Sequence, residues 1–269
     1  MKTSGSALAE KVRGIGESQV FDVRSDELPT WCPGCGYFGI HQGLNSCIKQ
    51  LGLGYHEVVT VSGIGCAGRS PFFSSTYGFH SVHGRALPTA MGVKLGNPSM
   101  TVYVIGGDGD GLAIGGGHLP HAARRDVDFN YLLFDNSIYG LTKGQPSPSS
   151  PKGTKSKASP YGSPDAPLNA SLLALSYGAS FVARLFAGQP DVIADVLMQG
   201  TRHRGFSFFH ILTSCVTFDK TFKTWENLNQ GVHPLPVGHD SADWKQAIDL
   251  VARDDLAVGV LYQRDGSTD

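Results

Sequence analysis

Five short apolar runs, alternating with segments of helical spacing, constrain this chain more than any other feature. Residues 57–62, 101–105, 129–134, 180–185 and 206–212 read as buried strands, rich in β-branched and aromatic side chains. Between or before them, residues 38–51, 86–95, 112–124, 167–177 and 190–201 read as helices; in the first, Ile40, Leu44, Cys47, Ile48 and Leu51 fall on one face. Strands alternating with helices predict an α/β, doubly wound, mostly parallel sheet. In such sheets ligands gather at the carboxyl ends of the strands. Ser62-Gly63, Gly106 with Asp108, Asp135-Asn136, and Thr213 with Cys215 all fall at such ends.

Composition narrows the class. With 269 residues the chain can bury one substantial core, and its net charge of −1 gives no footprint for nucleic acid. No apolar run reaches the ~18 residues of a membrane span. Residues 1–16 lack the apolar stretch of a secretory signal, so a reducing cytoplasm is the expected location. Glycine is abundant at 35 residues but not periodic; it clusters at the chemistry-bearing segments. Residues 1–30 read as a polar lead-in broken by Pro29, with 1–20 the poorly ordered part. Residues 21–269 are expected to form a single domain, with an extension after about 225.

The loop Gly106-Gly107-Asp108-Gly109-Asp110-Gly111 offers backbone N–H groups to phosphate, but its carboxylates would repel a diphosphate unless a cation intervenes. Magnesium requires about six oxygen ligands, few of them carboxylates. Asp108, the Asn136 amide oxygen and the Ile138 carbonyl can supply three, leaving diphosphate and water for the rest. The competing readings are a dinucleotide fingerprint with Asp135 on a ribose, and a pair of ordinary turns.

Cys32 and Cys35 stand in Trp31-Cys32-Pro33-Gly34-Cys35-Gly36, while Cys66 and Cys215 arrive singly from other strand ends. Four soft thiolates suit tetrahedral zinc or an iron–sulfur cluster. Structural zinc sites usually use two paired knuckles, so one pair plus two singletons favours the cluster. A thioredoxin-like dithiol should follow an apolar strand, and residues 25–30 form none. Cys47, on the apolar stripe of its helix, is expected to pack in the core.

Taken in order, Trp31–Gly36, Gly63-Ile64-Gly65-Cys66-Ala67-Gly68, His83-Gly84-Arg85-Ala86, Gly106–Asp110 and Tyr139-Gly140-Leu141-Thr142-Lys143-Gly144-Gln145 closely resemble the β subunit of 2-oxoacid:ferredoxin oxidoreductases. The likeness is strongest to the 2-oxoglutarate type and runs over roughly residues 20–225. It implies a thiamine-diphosphate-binding fold. Gly34, Cys35, Ile64, Gly65, Cys66, Ala67, Gly109, Asp110, Gly140 and Leu141 would contact the cofactor. Asp108, Asn136 and Ile138 would hold Mg²⁺, and Cys32, Cys35, Cys66 and Cys215 one [4Fe–4S] cluster. The implied reaction is coenzyme A-dependent oxidative decarboxylation of a 2-oxoacid, with 2-oxoglutarate expected, in either direction. Thiamine supplies the electron sink, and two electrons leave singly through the cluster. Five cysteines cannot hold a second four-cysteine cluster, so the external acceptor is expected to be ferredoxin.

The five glutamates, Glu10, Glu17, Glu27, Glu57 and Glu226, sit in no motif suited to activating the cofactor's aminopyrimidine. In the family that glutamate comes from an α subunit, so an αβ or α2β2 assembly is expected. His83 and Arg85 are read as catalytic-pocket residues, and Lys143 as the partner of a dicarboxylic substrate's distal carboxylate; each also has a plain structural or solvated reading. Leu141 departs from the pyruvate type, where an Asn contacts the cofactor. The 144–166 loop, with Lys152, Lys155 and Lys157, is long enough to require a docking role or simple solvation. His118 and His121 flank Pro120 and are read as packing residues rather than a metal pair. The alternatives are a pyruvate or broad-specificity subunit, a nonoxidative thiamine decarboxylase, and a zinc-stabilised nucleotide-binding subunit.

Overall fold

In the computed structural model, which describes residues 23–219, 223–253 and 256–264, each expected strand forms within one or two residues of its expected limits. In chain order the elements are α1 (Tyr37–Gln50), β1 (Val58–Ser62), β2 (Tyr77–His80), α2 (Ala86–Gly96), β3 (Thr101–Gly107), α3 (Leu119–Arg125) and β4 (Phe129–Asp135). A small ribbon, β5 (Ile138–Tyr139) and β6 (Gln145–Pro146), follows. Then come α4 (Ala170–Ser176), β7 (Phe181–Phe186), α5 (Pro190–Arg202), β8 (Phe206–Leu212), α6 (Lys223–Gly231), β9 (His233–Pro234), α7 (Trp244–Ala252) and β10 (Ala257–Gln263).

The main sheet runs β2-β1-β3-β4-β8-β7-β10-β9. Pairing is parallel from β2 to β7, whereas β10 runs antiparallel to β7 and carries β9 parallel to itself. Because helices cover both faces, the central strands are mostly apolar; all seven residues of β4 are buried, including the polar Asn130 and Asp135. Alternate side chains still divide between two cores. Val102 and Val104 pack with apolar residues of α2, α3, α4 and α7. Tyr103 and Ile105 pack on the other face with those of α1 and α5. Each fully buried large side chain, such as Phe134 or Phe209, contributes about 1.5–3 kcal/mol.

β1, β3, β4 and β8 are consecutive in the sheet, so their carboxyl ends form one continuous rim. Ser62 pairs with Ile105, Gly107 with Phe134, and Asp135 with Leu212. That rim carries the site.

Some expectations change. The helix expected over 112–124 splits into a wide π turn, Asp110–Ile114, and the short α3, because three glycines follow Ile114 and Pro120 starts a new helix. The stretch 23–30, read as part of the lead-in, is packed: Val23 is buried and accepts the Ser75 N–H at 2.8 Å. The segment 1–20 lies outside the described residues. The edge strand β2 has no sequence signal, since all four of its residues are exposed. Beyond 225 the chain adds α7 and β10, the latter joined to the main sheet.

Candidate functional site

A cavity of about 560 Å³ opens at this rim. Eight of the ten expected cofactor-contact residues line it: Ile64, Gly65, Cys66, Ala67, Gly109, Asp110, Gly140 and Leu141. So do the three expected magnesium ligands, Asp108, Asn136 and Ile138, together with His83. Gly34, Cys35, Arg85 and Lys143 are not among the lining residues. The Arg85 guanidinium instead reaches the carbonyls of His83 (3.4 Å) and Ile114 (3.2 Å). Lys143 is exposed, with φ of +86°, a left-handed conformation that a non-glycine residue adopts at a cost.

The loop backbone shapes the cavity. Gly65 sits at φ of +105°, which a side chain would strain. Tyr139 Oη donates to the Gly109 carbonyl at 3.1 Å, and its ring lies 2.3 Å from where a Cβ on Gly109 would stand. Asp110 Oδ1 accepts the backbone N–H of Gly84 (2.8 Å) and Ile64 (3.1 Å), tying three loops together. Burial raises its pKa against those bonds.

Beneath the cavity lies a buried acid pair. Asp108 is 1% exposed and Asp135 6%. Ser149 Oγ lies 3.0 Å from Asp108 Oδ2 and 2.7 Å from Asp135 Oδ1, so its single hydroxyl hydrogen is shared between the two carboxyl groups. Asp135 Oδ2 meets His210 Nε2 at 2.9 Å, and His210 Nδ1 meets Ser171 Oγ at 3.0 Å. Burial, then the neighbouring Asp135, pushes Asp108 up to about 8, despite hydrogen bonds from Ser147, Ser149 and Asn136. Burial would raise Asp135 too, but the hydrogen bond and charge of His210 bring it below the usual carboxylate range. The surroundings therefore favour the ionised form of Asp135 and the protonated form of Asp108, and a cation beside Asp108 would shift it towards the carboxylate. Asn136 Nδ2 donates to Tyr37 Oη at 3.1 Å, while its Oδ1 accepts the Ile138 N–H at 3.2 Å and so faces the same loop.

The four cysteines come together alongside. A Cβ on Gly140 would lie 3.6 Å from Cys215 Sγ and 3.7 Å from Cys66 Sγ, so both sulfurs flank a residue that also lines the cavity. Burial pushes the Cys35 thiol up to about 12; a backbone hydrogen bond from Tyr37 opposes this, and charge on Cys215, Cys66 and Cys32 adds to it. Burial and Cys215 raise Cys66 as well, against Arg69. Trp31 fixes the segment. Its Nε1 donates to the Cys66 carbonyl at 2.8 Å, and its ring meets Tyr37, Phe38, His41 and Phe73 edge-on at 4.9–5.9 Å. The hydroxyls of Thr213 and Ser214, beside Cys215, are buried without partners among the described residues. Among those residues no three His, Cys, Asp or Glu side chains form a single-ion site. Cys47 is fully buried in the core, His118 is half-buried and His121 exposed.

Ser149, His210 and Tyr37 had no sequence signal of their own, whereas Tyr139 opened the Tyr139–Gln145 motif without a role assigned to its ring. Only the length of the 144–166 loop pointed towards Ser149.

The family described as "Thiamine pyrophosphate enzyme, C-terminal TPP binding domain" matches residues 52–211, and the family of the carboxy-terminal part of the pyruvate ferredoxin oxidoreductase β chain matches 215–268. The chain is 45% identical over 198 residues to the 2-oxoglutarate oxidoreductase subunit KorB of Mycobacterium tuberculosis, covering 74% of this chain but only 53% of that one. It is 41% identical over 254 residues to the 2-oxoacid:ferredoxin oxidoreductase 2, subunit beta, of Aeropyrum pernix, covering 90% and 82%. The solved 2-oxoglutarate:ferredoxin oxidoreductase from Magnetococcus marinus, with 2-oxoglutarate, coenzyme A and succinyl-CoA bound, matches with a TM-score of 0.90 at 41% identity, over 94% of this chain and 87% of that one.

Proposed function

From the premise that the chain belongs to the family of 2-oxoacid:ferredoxin oxidoreductase β subunits, with its thiamine diphosphate-binding domain, we propose that it catalyses coenzyme A-dependent oxidative decarboxylation of 2-oxoglutarate. The observation that carries this reading is the adjacency of two sites on one rim: Gly140 lines the cavity and is flanked by Cys66 and Cys215. The substrate follows from the Magnetococcus enzyme, which holds 2-oxoglutarate and coenzyme A.

The residues present fit both groups. Asp108, Asn136 and Ile138 would hold Mg²⁺, and a cation there would favour the ionised form of the buried Asp108 carboxylate. Cys32, Cys35, Cys66 and Cys215 would bind a [4Fe–4S] cluster. The Cys35 and Cys66 thiols, which burial favours in the neutral form, ionise when a metal compensates their charge. Four sulfurs on one zinc would stand about 3.8 Å apart, given Zn–S of ~2.3 Å. The four ligands in a [4Fe–4S] cluster stand further apart, so iron content separates the two metals. The partnerless Thr213 and Ser214 hydroxyls suit donors to cluster sulfur.

When bound, thiamine diphosphate supplies the electron sink for decarboxylation and the cluster a one-electron acceptor. The protein's part is position and field. Asp110 holds the three loops in register, Tyr139 closes the Gly109 side, and His83 lines the cavity as a proton donor or acceptor. Lys143 would meet the substrate's distal carboxylate, and Arg85 braces the His83 loop. Glu27 and Glu57 lie outside the cavity lining; Glu57 Oε2 accepts the Gly54 N–H. An α subunit would bring the missing glutamate, and ferredoxin would take the electrons in the cytoplasm. We read residues 21–269 as one domain, a reading supported by the pairing of β10 with β7 of the main sheet.

The test is co-purification with an α chain, followed by viologen reduction with several 2-oxoacids and coenzyme A. The expected result is activity with 2-oxoglutarate from the pair and none from this chain alone. Activity from the single chain, or iron-free protein with zinc in its place, would overturn the reading.

A further inference from the structure

His210 is buried on β8, whose only other polar residue is Ser207, and nothing in the reaction assigned to the cavity uses it. Its neighbours give it a direction. Ser171 Oγ stands 3.0 Å from Nδ1 and Asp135 Oδ2 stands 2.9 Å from Nε2. An ionised carboxylate oxygen only accepts, so Nε2 is the donor to Asp135, while Nδ1 faces the Ser171 hydroxyl. Asp135 Oδ1 is taken by the Ser137 N–H (3.0 Å) and the Ser149 hydroxyl (2.7 Å). Both oxygens are thereby occupied, and Asp135 does not line the cavity, whereas Asp108 does. Ser149 bridges the two acids, lying 3.0 Å from Asp108 Oδ2.

We propose that His210 is a positioning residue for the cation-and-diphosphate site, acting through Asp135 and Ser149 on the Asp108 carboxylate. It keeps Asp135 turned away from the cavity, so that one acid and not two meets the metal. It also sets the bridging serine, which fixes the rotamer of Asp108. Without the imidazole, Asp135 loses the partner of one buried oxygen, and Ser149 follows whichever carboxylate needs it more. The inference rests on the magnesium and thiamine diphosphate reading of Asp108.

The test is calorimetric titration of the full chain with MgCl2 at saturating thiamine diphosphate, alongside thermal melting without either. Wild-type protein that shows no Mg²⁺-dependent binding would sink the reading of the site itself, separately from the relay. Given wild-type binding, His210→Ala is expected to raise the Mg²⁺ half-saturation about tenfold or more, and His210→Gln, whose amide can donate to Asp135, to stay within about threefold of wild type. Ser149→Ala, which removes one hydroxyl from a loop, is expected to raise it as His210→Ala does; the two changes together should add little beyond either alone. This variant decides the matter if His210→Ala does not fold. Unchanged half-saturation in either alanine variant overturns the relay. So does a loss in His210→Gln as large as in His210→Ala.

Discussion

Tyr139 gives its phenolic hydrogen to the carbonyl of Gly109, and its ring fills the space a side chain at 109 would need. Gly109→Ala would put a methyl carbon 2.3 Å from a ring carbon, well inside van der Waals contact. The ring must swing from the cavity wall. Thiamine diphosphate affinity is expected to fall at least about tenfold, with a stability cost of ~1–3 kcal/mol. Tyr139→Phe removes only the hydrogen bond and should cost about 1 kcal/mol, without the loss of shape. Equal affinities of Gly109→Ala and wild type would refute this role for the contact.

Cys66 and Cys215 flank Gly140, so the cluster proposal is open to test by colour. Protein purified without oxygen should absorb broadly near ~400 nm and carry about four irons per chain. Cys66→Ala or Cys215→Ala should lose most of that iron, whereas Cys47→Ala should keep it, because Cys47 lies in the core near Tyr103. Iron retained in full by Cys215→Ala would remove it from the ligand set.

Much of this site was legible because its chemistry sits between glycines at strand ends. Asp108 and Asn136 each follow an apolar run, and the run itself fixes where in the sheet they arrive. Their supports were not legible. His210 is one of two polar residues in Phe206–Leu212, with Ser207, and is indistinguishable in sequence from an imidazole buried for packing. Ser149 is one of several serines in a loop, and only the return of that loop under Asp108 singles it out. β10 follows α7 in the usual alternation but runs antiparallel to β7, and no local pattern signals that reversal of direction. The local pattern names an element; the partner across the sheet is a long-range fact.

Asp108 stands near Asp135, and that proximity predicts how the metal-free chain responds to pH. Its folded pKa, about 8, lies above the unfolded value near 4, so the native state binds the extra proton between them. Its contribution to stability is present below pH ~4 and fades as pH rises to ~8. Relative to Asp108→Asn, wild-type protein without Mg²⁺ should therefore lose stability in urea from pH 6 to 8.5. Saturating Mg²⁺ with thiamine diphosphate should abolish most of that difference. A flat difference between the two proteins would show that the Asp108 carboxylate is solvated in solution.

Lys143 tests substrate choice. It is exposed and held at positive φ beside Thr142, which lines the cavity. If its ammonium meets the distal carboxylate of the substrate, Lys143→Ala in the complex with its α chain should raise KM for 2-oxoglutarate about tenfold or more, the worth of one charge-assisted contact of ~1.5–3 kcal/mol. Turnover of pyruvate, which has no distal carboxylate, should be unchanged within about twofold. Lys143→Gly, which relieves the backbone strain but also lacks the charge, should behave like Lys143→Ala. Equal loss on both substrates would place the lysine in loop structure and leave the distal carboxylate to a residue of the α chain.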